Sequence, residues 1–177
     1  RANAETLLAG ALDDKVQARH FAAAIARSAE RMTQLLSDLL ELARVEAGEY
    51  ELSPKDVDVH TCVIEALDDV ASMADKRRTR FEVDIGDQLV VRADQSALRQ
   101  VLSNLIHNAV KYAPKKGHVR ISAQADEGRV RIEVHDDGPG IEPRHRPRVF
   151  ERFYRVDDGR SRELGGTGLG LSIVKNL

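Results

Sequence analysis

The chain is poor in several features that would have narrowed its role. Cysteine occurs once in 177 residues, at Cys62. A single thiol can build neither a disulfide framework nor a thiolate metal site. Its neighbours Val63 and Ile64 mark it as a small buried hydrophobe. No run approaches the roughly 20 apolar residues of a membrane span. The first residues are polar and helix-like, unlike a signal peptide. An excess of one charge sign is missing too: charged residues make up 32% and the net charge is −2. A generic nucleic-acid binder carries a clear basic surplus. There is no internal repeat and no low-complexity tract. These absences lead to the expectation of a soluble chain in a reducing compartment. What is present is a 42% apolar content over a length suited to one domain or two small ones.

Residues 1–9 look like the end of a helix, and Gly10 with the following "LDDK" reads as a turn. A long helical pattern follows. Phe21, Ser28, Leu35 and Leu42 recur every seventh position, and Ile25, Met32 and Leu39 fill the alternate seam. Such a narrow stripe needs a partner surface. Two solutions are open: a helical hairpin that pairs with a second copy as a four-helix bundle, or an amphipathic helix lying on its own domain. The pattern stops at Gly48, and a linker is expected near residues 46–54, with Pro54 in it. Beyond it the order is a helix over 60–78, the strand-like runs "RFEVDI" and "LVVRA", and a helix over 95–112 capped by Asp94. Two alternating strands, "HVRISAQA" and "RVRIEVHD", are joined by "DEG". A Gly-, Pro- and Arg-rich loop covers 138–165, and a last helix starts near Leu169. Helices with mostly antiparallel strands suggest an α+β sandwich with helices on one face.

The chemistry concentrates in the second half. Asn104, Asn108 and Lys111 fall at i, i+4 and i+7, along one stripe beside the apolar face of their helix. Amide oxygens suit Mg²⁺, which bridges to phosphate oxygens, and a lysine one turn on can meet a phosphate. "HDDGPGI" ends a strand on Asp136, while Gly138 and Gly140 let a backbone approach a flat ligand. A carboxylate fixed in an apolar pocket can accept from an exocyclic amine. In "LGGTGLGLSIVKNL", Gly166, Gly168 and Gly170 lead into a helix whose N-terminus suits an anion. No G-K-[ST] makes it a Walker loop, and it follows a long loop instead of the strand of a dinucleotide fingerprint.

With "VFERFYR" between them, these stretches resemble, in order, the four nucleotide-binding boxes of sensor histidine kinases. "NLIHNAVKY" is similar to the N box, "DDGPGI" to the G1 box, "FERFYR" to the F box and "GGTGLGLSIV" to the G2 box. The helical pattern and "LARVEAGEYEL" resemble the end of that family's dimerisation hairpin. The resemblance implies residues 1–48 as a partial dimerisation and phosphotransfer hairpin, and 49–177 as an ATP-binding catalytic domain. The implied fold is α+β: a helical hairpin forming a dimeric four-helix bundle, then the α/β sandwich of the GHKL (Bergerat) ATPases. Asn108, supported by Asn104, would hold Mg²⁺. Lys111 and Arg155 would reach the ATP phosphates, and Tyr112 would pack near the nucleotide. Asp136 would bind the adenine amine, with Gly138 and Gly140 shaping that pocket. Gly166, Gly168 and Gly170 would meet the phosphates, with Thr167, Leu169 and Leu171 beside them. Residues 141–165 would form a lid, with Phe150 and Phe153 anchoring it against the body. The seven arginines 144, 146, 148, 152, 155, 160 and 162, interleaved with aromatics, could in isolation suggest RNA binding. The acidic residues among them favour solvation and pairing, with Arg155 kept for phosphate.

The resemblance further implies ATP and Mg²⁺, a homodimer, a response-regulator receiver domain as partner and no nucleic acid. It implies the cytoplasmic domain of a bacterial inner-membrane sensor, tied to the membrane only through segments outside this chain. The phosphoacceptor motif H-E-L-[RK]-T-P is missing, and His20, His60, His107, His118, His135 and His145 do not match it. The family also continues its last helix into further strands. The chain is therefore expected to be a piece of a longer sensor, incomplete at both ends and unable to autophosphorylate alone. A degenerate kinase acting as a docking module, or a related ATPase, are the alternatives. The intact boxes speak against the first, the hairpin and F box against the second.

Overall fold

The computed structural model describes residues 2–7, 14–48, 51–86, 88–156 and 166–177. Helix α1 (Ala2–Thr6) packs beside the long helix α2 (Lys15–Glu46). The turn expected between them lies mostly outside the described residues. Helix α2 starts where the Asp14 carboxylate accepts from the backbone N–H groups of Val16 and Gln17, at 2.8 and 3.2 Å. These are two of the donors that a helix N-terminus leaves without partners. It stops at Gly48, whose φ of 68° ends a helix without a Cβ clash.

The apolar stripe of α2 divides into two halves of different fate. Leu42 is only 2% exposed and Leu35 is half-buried, whereas Met32 is 71% exposed and Ile25, Leu36 and Leu39 are open as well. The reading of a helix lying on its own domain thus applies to the C-terminal part of the stripe. Its C-terminal end lies on its own chain, and the rest faces outward.

After α2 come β1 (Lys55–Asp58), α3 (Val59–Arg77), β2 (Arg80–Ile85), β3 (Val90–Ala93) and α4 (Gln95–Tyr112). Then follow β4 (His118–Asp126), β5 (Arg129–Asp136) and α5 (Gly170–Asn176). Strand β1 begins directly after Pro54, where a missing N–H costs nothing. Asp58 caps α3 by accepting from Thr61 N–H at 2.7 Å, and Arg78 closes it in the left-handed region at φ 56°. Asp94 caps α4 as expected, accepting from Ala97 N–H at 2.9 Å and, from the linker side, Ser53 N–H at 3.0 Å.

The strands form two small sheets, β1–β3 and β2–β4–β5. The expectation of mostly antiparallel pairing needs one correction: β2 and β4 run parallel, from Arg80↔His118 to Ile85↔Ala123. Helix α4 lies between them in the chain, and a crossover of that length is what lets consecutive strands point the same way. Strands β4 and β5 form the expected hairpin, with Asp126 opposite Arg129. Its two turn residues, Glu127 and Gly128, sit at φ 46° and 79°, the conformation that matches strand twist across a two-residue loop.

Alternation then sorts the side chains. Val119, Ile121 and Ala123 of β4 and Val130, Ile132 and Val134 of β5 face the helices. They pack against Cys62, Val63, Ala66 and Val70 of α3 and Leu102, Ile106, Ala109 and Val110 of α4. Cys62 is fully buried, as its neighbours foretold, and burial pushes its thiol above the ordinary value. A second, small cluster forms where Leu42 and Leu35 of α2 meet Leu169, Ile173 and Leu177.

Candidate functional site

The site is built on the face of α4 that turns away from the sheet. Lys111 is 5% exposed, although it is a lysine on a helix surface stripe. Its Nζ lies 5.0 Å from the centre of the neighbouring Tyr112 ring. On the other side it abuts Gly166, where any Cβ would collide with the ammonium. Burial holds Lys111 below the ordinary lysine value; Tyr112 offsets part of this and the charge of Arg155 adds to it. Arg155 is half-buried, and its Nη2 is enclosed without a hydrogen-bond partner. Among the described residues no carboxylate pairs with either cation. Two cations withdrawn from water beside a glycine loop form a place for an anion with several acceptor oxygens.

The rest of α4 agrees. Asn104 and Asn108 are half-buried one turn apart, on the same stripe as Lys111. The Asn104 amide nitrogen donates to the Gln100 carbonyl at 3.1 Å, which turns its oxygen toward the glycine loop. A Cβ on Gly170 would stand 2.7 Å from that oxygen. Hard amide oxygens placed beside an anion site are the donors a Mg²⁺–phosphate unit accepts. His107, on the same helix, is held below the ordinary histidine value by lost hydration and then by Lys111, with Asp38 of α2 opposing.

Asp136, expected from the sequence to meet adenine, lies at the end of β5. Period-two alternation puts Asp136 on the helix-facing side, half-buried. Its Oδ1 accepts from Gly138 N–H at 2.7 Å. A Cβ on Gly138 would run into that carboxylate and stand 3.1 Å from the Tyr112 carbonyl oxygen, so glycine is required there. Gly140 adopts φ 69°.

Residues 166–170 close the site. Phe153 N–H donates to the Gly168 carbonyl at 2.9 Å, and both residues lie in the left-handed region, at φ 59° and 77°. For phenylalanine this conformation is strained. The Phe153 backbone fills the space beside Gly168, 2.9 Å from where a Cβ would stand. The Thr167 hydroxyl donates to Asp38 Oδ2 at 2.7 Å. Leu169 is fully buried and precedes α5 without a side-chain cap, and Leu171 is half-buried.

Phe150 and Phe153 do not anchor the loop against the body. They are 42% and 57% exposed, and Phe153 instead faces α2 across a 480 Å³ groove lined by Met32, Leu35, Leu36, Leu39 and Leu169. The Phe153 backbone, in the left-handed region, meets Gly168. The arginines of 141–156 are largely committed to their own segment. Arg144 pairs with Glu142 at 3.0 Å and Arg148 with Glu151 at 3.1 Å, and Arg146 donates to the Ile141 carbonyl at 3.0 Å. Arg148 also stacks 4.2 Å from the Tyr154 ring, whose hydroxyl is 2.6 Å from His145 Nδ1. Arg160 and Arg162 lie outside the described residues.

Sequence reasoning missed Asp38. Its one signal is a carboxylate interrupting the apolar "LLSDLLEL", and it is only 8% exposed.

Comparison with known proteins agrees with this geometry. Residues 93–177 match the family of histidine kinase-, DNA gyrase B- and HSP90-like ATPases, and residues 1–48 match the His Kinase A (phospho-acceptor) domain. The chain is 42% identical to the phosphate regulon sensor protein PhoR of Pseudomonas aeruginosa, over 85% of its own length and 34% of that protein's. It is 41% identical to the sensor-like histidine kinase SenX3 of Mycobacterium tuberculosis, over 98% of its length and 42% of the relative's. The chain thus spans about a third to two fifths of these curated relatives. Among solved structures it resembles full-length ShkA in complex with AMPPNP, with a TM-score of 0.75 and 33% identity over 90% of this chain and 33% of that one. It also resembles the mycobacterial sensor histidine kinase MprB, with a TM-score of 0.59 and 34% identity over 70% and 76%. The phospho-acceptor and ATPase family matches occur here in the order of the similar sensor kinases, and the chain belongs to the sensor histidine kinases.

Proposed function

We propose that this chain is the catalytic core of a sensor histidine kinase that binds Mg-ATP and delivers its γ-phosphoryl to a histidine, for relay to a response-regulator aspartate. The observation that carries the reading is the pair Lys111 and Arg155, desolvated beside the glycine loop with no carboxylate partner among the described residues. A triphosphate supplies what they lack. Its likeness at 33% identity to ShkA, a structure holding AMPPNP, supports the same ligand.

In this reading Asp136 accepts from the adenine amine while Gly138 and Gly140 admit the ring. Tyr112 borders the nucleotide and orients Lys111. Lys111 and Arg155 neutralise phosphate charge, and Gly166, Thr167, Gly168, Leu169, Gly170 and Leu171 line the phosphate path. Phe150 belongs to the same lid segment. Asn108 and Asn104 would hold Mg²⁺, which would supply charge neutralisation for the phosphates. Phosphoryl transfer asks mainly for positioning and charge neutralisation, and these residues supply both. The open part of the α2 stripe, Ile25, Met32, Leu36 and Leu39, suits a second copy of the hairpin. ATP as donor puts this core on the cytoplasmic side of its sensor.

Titration with AMP-PNP in the presence and absence of Mg²⁺ tests the proposal. Binding should depend on Mg²⁺, and Asn108→Asp should weaken it by about tenfold, since a displaced or overcharged ligand costs a metal site several-fold to a hundredfold. Equal titration curves for Asn108→Asp and the parent chain would remove the asparagine from the metal site.

A further inference from the structure

We propose that Asp38 of α2 is a positioning residue that holds the glycine loop closed over Lys111, so that nucleotide binding and the seating of the α/β domain on α2 oppose one another. The inference rests on the nucleotide reading above and goes beyond it.

Three consecutive loop residues are held, each by a different element. Gly166 lies against the Lys111 ammonium. The Thr167 hydroxyl donates to Asp38 Oδ2 at 2.7 Å and accepts from Leu169 N–H at 3.3 Å. Gly168 accepts from Phe153 N–H at 2.9 Å. In this arrangement Lys111 is nearly sealed, and a phosphate oxygen reaches its ammonium only if Gly166 moves away. Of the three holds, only Thr167–Asp38 reaches outside the α/β domain, to the helix of the hairpin.

Asp38 is built for that hold. It is buried among leucines, and its other oxygen accepts from Gln34 Nε2 at 2.7 Å, which sets the carboxylate's orientation. Its Oδ2 lies 2.7 Å from the Thr167 hydroxyl, so its charge also stands beside the loop an anion would approach. A triphosphate arriving there meets both a loop that must open and a carboxylate of its own sign. The apolar contacts of Leu35 and Leu42 with Leu169 and Ile173 connect the same loop to α2. By reciprocity, whatever Asp38 takes from nucleotide affinity, nucleotide takes from the α2 seam.

The test is calorimetric titration of the 177-residue chain with AMP-PNP and Mg²⁺. Asp38→Ala should bind about three- to tenfold tighter, the range of one net intramolecular hydrogen bond. Asp38→Asn keeps an acceptor and loses the charge, and should fall between. In the Asp38→Ala, Thr167→Val double variant the effects should not add, because both remove one bond. Hydrogen exchange over residues 35–42 provides the second readout. Nucleotide should speed it in the parent chain and leave it unchanged in Asp38→Ala, where the seam is already loose. A purely structural role would loosen the seam without tightening nucleotide binding. Equal or weaker binding in both Asp38 variants overturns the inference, and if Asp38→Ala folds poorly the near-isosteric Asp38→Asn decides alone. A parent chain that binds no nucleotide overturns the functional reading and this inference together; a parent that binds as its variants do overturns only the inference.

Discussion

The two hydrophobic clusters are made of the same residue types and have different consequences. Under α3 and α4, Val63, Val110, Ile106, Val119 and Ile121 are all fully enclosed, and each element contributes a complete face. At the α2 seam, the buried apolar side chains among the described residues are Leu42, Leu169 and Ile173, with Leu35 and Leu177 half-open beside them. The large cluster closes on itself within one domain. The small one joins a domain to a helix most of whose apolar stripe remains open. A domain that keeps its own core can leave such a seam without unfolding, because the seam carries little of the buried area on which stability depends. The kinase chemistry proposed for this family member needs such a domain: a nucleotide held rigidly, on a body that can be carried to another helix.

Substitutions can sharpen or break that contrast. The largest effect is expected in the sandwich. Ile106→Ala removes a fully enclosed side chain between α4 and the sheet, and should cost about 2–5 kcal/mol, read as a cooperative loss of thermal or urea stability. Leu42→Ala is a comparable truncation at the seam. It should speed hydrogen exchange across α2 and α5 while the midpoint of sandwich unfolding moves by less than about 1 kcal/mol, because distant sites act independently. If the two substitutions lower the same transition equally, the clusters form one cooperative unit and the contrast fails.

Lys111→Met tests the site between the clusters. Removing a buried charge of similar volume should stabilise the nucleotide-free chain by about 1–2 kcal/mol at neutral pH while abolishing AMP-PNP binding. The pH dependence carries the sign. Lys111 binds its proton less tightly folded than unfolded, so the cost of burying it is fully present below its folded value. That cost is shed as pH rises from there toward the ordinary 10.5, so stability gains in that window. Lys111→Met should lack this alkaline gain. A variant that is less stable at neutral pH would mean that Lys111 has an anionic partner in the free chain.

A local effect is expected at Asp94, which caps α4 and draws in Ser53. Its carboxyl is pulled down from 3.8 to about 2, first by the Ser96 hydroxyl and then by the Ala97 and Ser53 N–H groups. The stability this contributes is present above the ordinary value and is lost as pH falls toward 2. Asp94→Ala should cost about 1 kcal/mol in a denaturant midpoint at pH 7 and nothing further in acid. An unchanged midpoint would leave the start of α4 held by packing alone.

How legible this was varied with the range of the interaction. Helices α3, α4 and α5 began within a residue or two of their expected starts, because Asp58, Asp94 and the glycines before Leu169 act over one turn. The stripe of Asn104, Asn108 and Lys111 could be read from helical period, and Asp136 from strand alternation. The parallel pairing of β2 with β4 could not be read, since both strands look the same in either direction and only the α4 crossover decides. Phe153 was misjudged because its 57% exposure and its place beside the α2 groove have no signature in the local sequence.

The residues by themselves determined the family, the ATP-site boxes and the amphipathic helices, since each depends on spacings of a few positions along one element. Only the tertiary structure decided which part of the α2 stripe is covered, that Lys111 and Arg155 are left without partners among the described residues, and that Asp38 holds Thr167. Those facts depend on groups up to 129 positions apart meeting in space, and neither propensity nor period along the chain carries information about such a meeting.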